Sequence, residues 1–190
     1  MNPSAHLLVL FSIVIGLGLA DLLLNVRAIV FREKAIIVRL HLVPVLWALF
    51  AVLNLLQAWW GIYAAFSEEN YATSLIGYLS TFVFVIPMYL LASAALPSIR
   101  NQTVDLLEHY QSNSARIFGW IAALWLLSLL YHTILRHHPL YLPPQIMRFA
   151  GIATGAAGVL TKRPWLHVLL MCVQIGLLVA FFALVTPRIE

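Results

Sequence analysis

Charge is what this chain has least of. Only 9% of its 190 residues are charged, against roughly 25% in soluble domains, and that scarcity excludes a water-soluble fold. Cysteine is nearly absent. Cys172 stands alone, so no internal disulfide forms, and within an apolar run a single thiol reads as a core side chain. Also missing are an HExxH pair, a phosphate-binding glycine loop, a dinucleotide turn, a nucleophile elbow and any cysteine pair. Ordinary hydrolase and nucleotide chemistry therefore lacks its residues. No Lys or Arg precedes the first apolar segment, and no cleavage pattern leads from it into a soluble domain, so it is expected to be a retained helix and not a signal peptide. Neither a repeat of roughly 20 to 50 residues nor a low-complexity tract is evident.

Apolar sequence fills the space. Hydrophobic residues make up 63% of the chain and mean hydropathy is +0.94. A crossing of about 30 Å of hydrocarbon needs roughly 20 residues, so six crossings consume nearly the whole length. The expected fold is an all-α polytopic bundle, one membrane-embedded domain over 1–190, with spans at about 6–30, 42–66, 73–96, 116–135, 145–161 and 164–185. Pro44 falls in a first turn, where no intrahelical donor is needed. Pro87 lies in mid-span and should kink its helix, and Pro97 should stop it. A polar stretch at about 103–112, containing Asp105-Leu106-Leu107-Glu108-His109-Tyr110, reads either as an amphipathic helix at the interface or as a solvated connector. Gly151, Ala153, Gly155, Ala156, Ala157 and Gly158 allow close backbone approach, so the fifth segment is expected to be centrally packed and not lipid-facing.

Loop charge sets the orientation. Alternate loops give one side Arg27, Arg32, Lys34, Arg39, Arg100, Arg116, Lys162 and Arg163, and the other only Arg136, Arg148 and Arg188. Under the positive-inside rule both termini face outward. The net charge of +4 is explained by this asymmetry and by anionic headgroups, with no nucleic-acid partner required. The expected setting is the cytoplasmic (inner) membrane of a bacterium, with lipid as the principal partner and homo-oligomers formed through small-residue faces.

Polar groups at membrane depth carry the functional question. An ionised Asp21 costs several kcal/mol in hydrocarbon unless it is paired, hydrated or protonated. Asn25 shares its face at i+4, and Arg39 or Arg163 could pair with it near the inner interface. Asn54, Gln57 and Gly61 fall at i, i+3 and i+7 as one stripe, with Gln174 at similar depth and Ser128 slightly outward. Such groups either bond across helices or line a hydrated path. Arg148 could attract anions from a small-residue helix or snorkel to the outer headgroups. Asp21, Asn25, Asn54, Gln57, Gln174 and Arg148 are thus the path-lining candidates. The candidates for contact with a cytoplasmic protein are Arg32, Lys34, Arg39, Asp105, Glu108 and Arg116. His6 and His132 near the outer face, with His41 and His167 near the inner, allow a weaker haem hypothesis. No other cofactor and no metal site is expected.

Gly16-x-Gly18-x-x-Asp21 with Arg27, Trp59-Trp60 closing the second span, Tyr89-Leu90 before Leu96-Pro97, and Asp105-Leu106 with Tyr110 and Arg116-x-Phe118 resemble a group of small, functionally uncharacterised six-helix bacterial membrane proteins. The resemblance covers most of the first 120 residues and implies the topology, with no activity attached. Function is expected to be that of a non-enzymatic channel or carrier for an ion or small solute. The alternatives are a scaffold or signalling subunit that binds a cytoplasmic partner, and a haem- or quinone-bearing redox subunit.

Overall fold

The structure is a computed structural model that describes residues 3–31, 37–39, 41–66, 75–96, 103–135, 137, 139–140 and 142–185. Arg32 and Lys34 lie outside them.

Among the described residues six α-helices follow one another: α1 (Pro3–Val30), α2 (Leu42–Phe66), α3 (Leu75–Ser93), α4 (Leu106–Leu130), α5 (Pro143–Leu160) and α6 (Pro164–Val185). Four stretches are long and apolar enough to cross a membrane, at His6–Val30, Leu42–Tyr63, Leu106–Ile134 and Pro164–Leu184, and α3 contributes a shorter apolar stretch, Leu79–Ser93. Prolines set several starts: α1, α5 and α6 each begin on one, where the missing N–H is no loss. Pro87 is accommodated inside α3.

Two strands of three residues, β1 (Ile37–Arg39) and β2 (Thr103–Asp105), pair in parallel with Val38 opposite Val104. This clip ties the connection after α1 to the one after α3, so both reach the same end of the bundle. β2 runs straight into α4, where Asp105 acts as N-cap. Its Oδ1 accepts from the backbone N–H of Leu107 at 2.9 Å and of Glu108 at 3.2 Å. A carboxylate here satisfies two orphan donors and meets the positive end of the helix dipole.

That cap corrects the reading of 103–112. The stretch is not a separate interfacial helix: from Leu106 it forms the opening turns of α4, with Leu106 and Tyr110 buried and Glu108, Gln111 and Ser112 exposed. The reason is length. The 25 residues of α4 continue into a π-helical turn, Tyr131–Leu135, and together rise about 45 Å, beyond the roughly 30 Å of a hydrocarbon layer. A helix of that length has room for its polar opening turns outside such a layer.

Packing divides the helices into two groups. α1, α2 and α3 contact one another; α4 packs on α5 and α5 on α6, and α2 against α6 joins the halves. α6 buries one stripe, His167, Met171, Gln174, Leu178 and Phe181, the alternating four- and three-residue step of a helix face. The remaining surfaces are apolar as well. Ile13, Leu17, Leu24, Leu49, Leu56, Leu79, Ile86, Leu126, Ile146, Leu169 and Val179 are all exposed, a belt of hydrocarbon on every helix that water does not tolerate and lipid does.

α5 inverts the usual pattern. Its buried residues are Gln145, Arg148, Gly151, Gly155 and Gly158, none with an apolar side chain, while Ile146, Phe149, Val159 and Leu160 face outward. The helix is therefore not centrally packed: one face is shared with its neighbours and the other is exposed. A Cβ on Gly151 would lie 2.5 Å from the Trp125 ring, one on Gly155 2.9 Å from Ala122 N, and one on Gly158 would overlap the Phe118 ring. Small residues thus bring α5 against α4 from Phe118 to Ser128, the most extensive helix pair among the described residues.

A buried polar cluster between α4, α5 and α6

Placing Gln145 and Arg148 on the glycine face of α5 turns both side chains inward, one turn apart, toward α4 and α6. Arg148 is only 1% exposed. Its Nε donates to Ser128 Oγ at 2.8 Å, one terminal nitrogen donates to Gln145 Oε1 at 2.8 Å, and its Cζ sits 4.8 Å from the centroid of the Phe181 ring. All these partners are neutral. Hydrogen bonds to a charged group contribute about 1.5–3 kcal/mol each and a desolvated cation–π contact about 2 kcal/mol, while burying the ion costs several kcal/mol. The cluster holds the cation without neutralising it.

A second knot lies one to two turns along. Gln174 on α6 accepts from Trp125 Nε1 at 2.8 Å, and its Nε2 donates to Gly151 O at 2.9 Å and to Thr154 Oγ1 at 2.7 Å. Thr154 itself donates to Ala150 O at 2.8 Å. From Gln145 to Thr154 the polar line rises about 14 Å along α5. Beyond it, Gly155 against Ala122 and Gly158 against Phe118 close the packing. At the far end His167 Nε2 lies 3.0 Å from Thr161 O. A carbonyl only accepts, so this nitrogen carries a proton. The imidazole also meets the rings of Tyr110 and Phe118 at 5.5 and 5.1 Å.

The path-lining candidates are therefore split. Arg148 and Gln174 belong to this cluster, and Arg148 turns inward instead of snorkelling to headgroups, because the glycine face leaves room and Ser128, Gln145 and Phe181 meet it. Asn54 is buried, but its Nδ2 donates to Phe50 O of its own helix at 3.1 Å. Gln57 is half-buried, and Gly61 faces open space, so the proposed stripe on α2 does not converge on one feature. Asp21 and Asn25 are half-buried on α1, a helix that packs on α2 and α3. Arg163, considered as a partner for Asp21, is exposed at the start of α6.

Among the partner-contact candidates, Asp105 is engaged as a helix cap, Glu108 is exposed in the first turn, and exposed Arg116 donates to Asn113 Oδ1 at 3.3 Å. Arg39 contributes backbone to β1. Of the haem candidates, His6 is exposed, His41 Nδ1 accepts from Val43 N at 3.4 Å, His132 stacks edge-on with Tyr131, and His167 has the partners given above. No group of three or more His, Cys, Asp or Glu residues suited to a metal occurs among the described residues.

Sequence reasoning missed Gln145 as a site residue. The available signal was the face Gln145-Arg148-Gly151-Gly155-Gly158, polar or glycine at every position in a helix whose other faces are apolar. In lipid such a face must turn inward. No family model, curated protein or solved structure matches this chain, so the functional reading rests on the cluster itself.

Proposed function

We propose that the chain is a six-span membrane protein with both termini on the outer side, and that it acts as a non-enzymatic carrier for a small ion or solute, with the α4–α5–α6 polar line as its binding part. The observation that carries this reading is Arg148: a cation buried in the bundle, facing inward, with only neutral partners among the described residues. Purely structural glue is served by neutral amides and hydroxyls, which bond across helices at lower desolvation cost. A carrier is favoured over an open pore because the polar line stops at Thr154, beyond which the close contacts of Gly155 and Gly158 with α4 leave no continuous path, so passage requires a rearrangement of α5 against α4.

The test is flux. Full-length protein in liposomes is assayed for movement of protons, sodium, potassium, chloride, acetate and phosphate, alongside Arg148→Gln. Protein-dependent flux of any of these that falls in the variant supports the carrier. Absence of flux for the whole panel, or flux indifferent to Arg148, refutes it.

A further inference from the structure

Gln145 is wholly buried, and its Nε2 has no hydrogen-bond partner. The orientation of its amide is not arbitrary. Oε1 accepts from Arg148, and the flipped amide would set its donor group against a guanidinium that can only donate. The orphan NH2 is therefore held on the same planar group that touches the cation. Ser128 Oγ, having accepted from Arg148 Nε, keeps its own proton to donate. The site lies in the first two turns of α5, an 18-residue helix in which Pro143 and Pro144 carry no N–H and the backbone N–H groups of Gln145 and Ile146 donate to Leu142 O at 2.9 and 3.2 Å, so the donors on offer are side chains. Donors and positive charge converge here, and the missing element is an acceptor bearing negative charge.

We propose that Arg148, Gln145 and Ser128 form a binding subsite for an oxyanion of carboxylate or phosphate type, entering from the Pro143 end of α5. The two oxygens of such a group match a donor fork of guanidinium and amide better than a single-atom halide does. The anion comes either from solution, as a small carboxylate or phosphate, or from the phosphodiester of a lipid headgroup. Arg148 stands about 8 Å along the helix from Pro143, the first residue of α5. This subsite deepens the carrier reading and rests on it for the route by which the anion arrives, but binding is measurable without transport.

The experiment uses the full chain purified in an uncharged maltoside at fixed chloride. Binding of radiolabelled acetate and of inorganic phosphate is followed by equilibrium dialysis, and retention of added phosphatidylglycerol by mass spectrometry. A soluble source gives saturable acetate or phosphate binding; a headgroup source gives phosphatidylglycerol retention alone; either supports the site. Loss of one hydrogen bond to a charged group corresponds to roughly tenfold or more, so Gln145→Met should weaken binding about tenfold. Arg148→Gln should abolish it, and Arg148→Lys should fall between. Circular dichroism and gel filtration establish folding. If Arg148→Gln does not fold, Gln145→Met and Arg148→Lys carry the test. No binding of any of the three probes to the wild type, or equal affinity in the folded variants, overturns the proposal. Anion binding without liposome flux would keep the subsite and remove the carrier, whereas cation flux without anion binding would do the reverse.

Discussion

Substituting Gly155 by alanine probes the contact that builds the polar cluster. The added methyl would sit 2.9 Å from Ala122 Cβ, 2.9 Å from Ala122 N and 3.0 Å from Ala122 Cα. Ordinary carbon contacts lie at about 3.5–4.0 Å, so α4 and α5 must separate by roughly 0.5–1 Å. Two of the three atoms are backbone, so no rotamer relieves the overlap. Overpacking of this kind costs about 1–3 kcal/mol, offset by at most about 1 kcal/mol from the higher helix propensity of alanine. The expected net loss is about 1–2 kcal/mol. Gly16 and Gly61 provide internal controls, because a Cβ at either meets nothing within 4 Å, and alanine there should be neutral or slightly stabilising. Unfolding of purified protein by increasing SDS in mixed micelles, followed by circular dichroism, measures all three. If Gly155→Ala is as stable as Gly16→Ala, the close approach of α5 to α4 is wrong.

Further outcomes follow from the side-chain hydrogen bonds. Arg148→Met alone should lose about 1–3 kcal/mol, because Ser128 and Gln145 are left without their partner. The triple variant Ser128→Ala, Gln145→Met, Arg148→Met should regain that loss in the same SDS titration, since a fully apolar replacement of a buried charged cluster is often neutral or stabilising. Gln174→Leu breaks bonds to Trp125, Gly151 and Thr154 and, at about 0.6 kcal/mol per membrane hydrogen bond, should cost roughly 2 kcal/mol and shift indole emission to the blue; an unchanged spectrum would contradict the Trp125 contact. Asp105→Ala should cost about 1 kcal/mol and speed amide exchange at Leu107 and Glu108, whereas Asp105→Asn should largely preserve both.

Much of the helical architecture could be read from hydropathy and proline. α2 and α6 are apolar runs closed by polar sequence, and Pro143 and Pro164 mark helix starts. The joining of 103–112 to α4 was harder to see, because an N-cap such as Asp105 looks the same at the head of a short surface helix and of a long one. The β1–β2 clip has no local signal: it pairs segments some 66 positions apart, and each is only three residues long. At the site, the sequence marks Arg148 and Gln174 as polar residues within apolar helices but does not show their neighbours. Periodicity places a side chain on a face, but which helix meets that face depends on packing, so the sequence does not say which of Asp21, Asn54 and Arg148 finds partners on another helix; the burial of the α5 glycines against α4 decides it for Arg148. The inward turn of Arg148 follows from that contact.

The whole account depends on α5 crossing the membrane with its polar face inward. Exposed Cys172 is the lone native thiol, so a Cys172→Ala background is clean for labelling. Leu140 precedes α5 and Lys162 follows it, and both are exposed. In intact cells, a membrane-impermeant maleimide should label Leu140→Cys from outside and reach Lys162→Cys only after permeabilisation. Labelling of both positions from the same side would show that α5 does not cross, and would contradict the account.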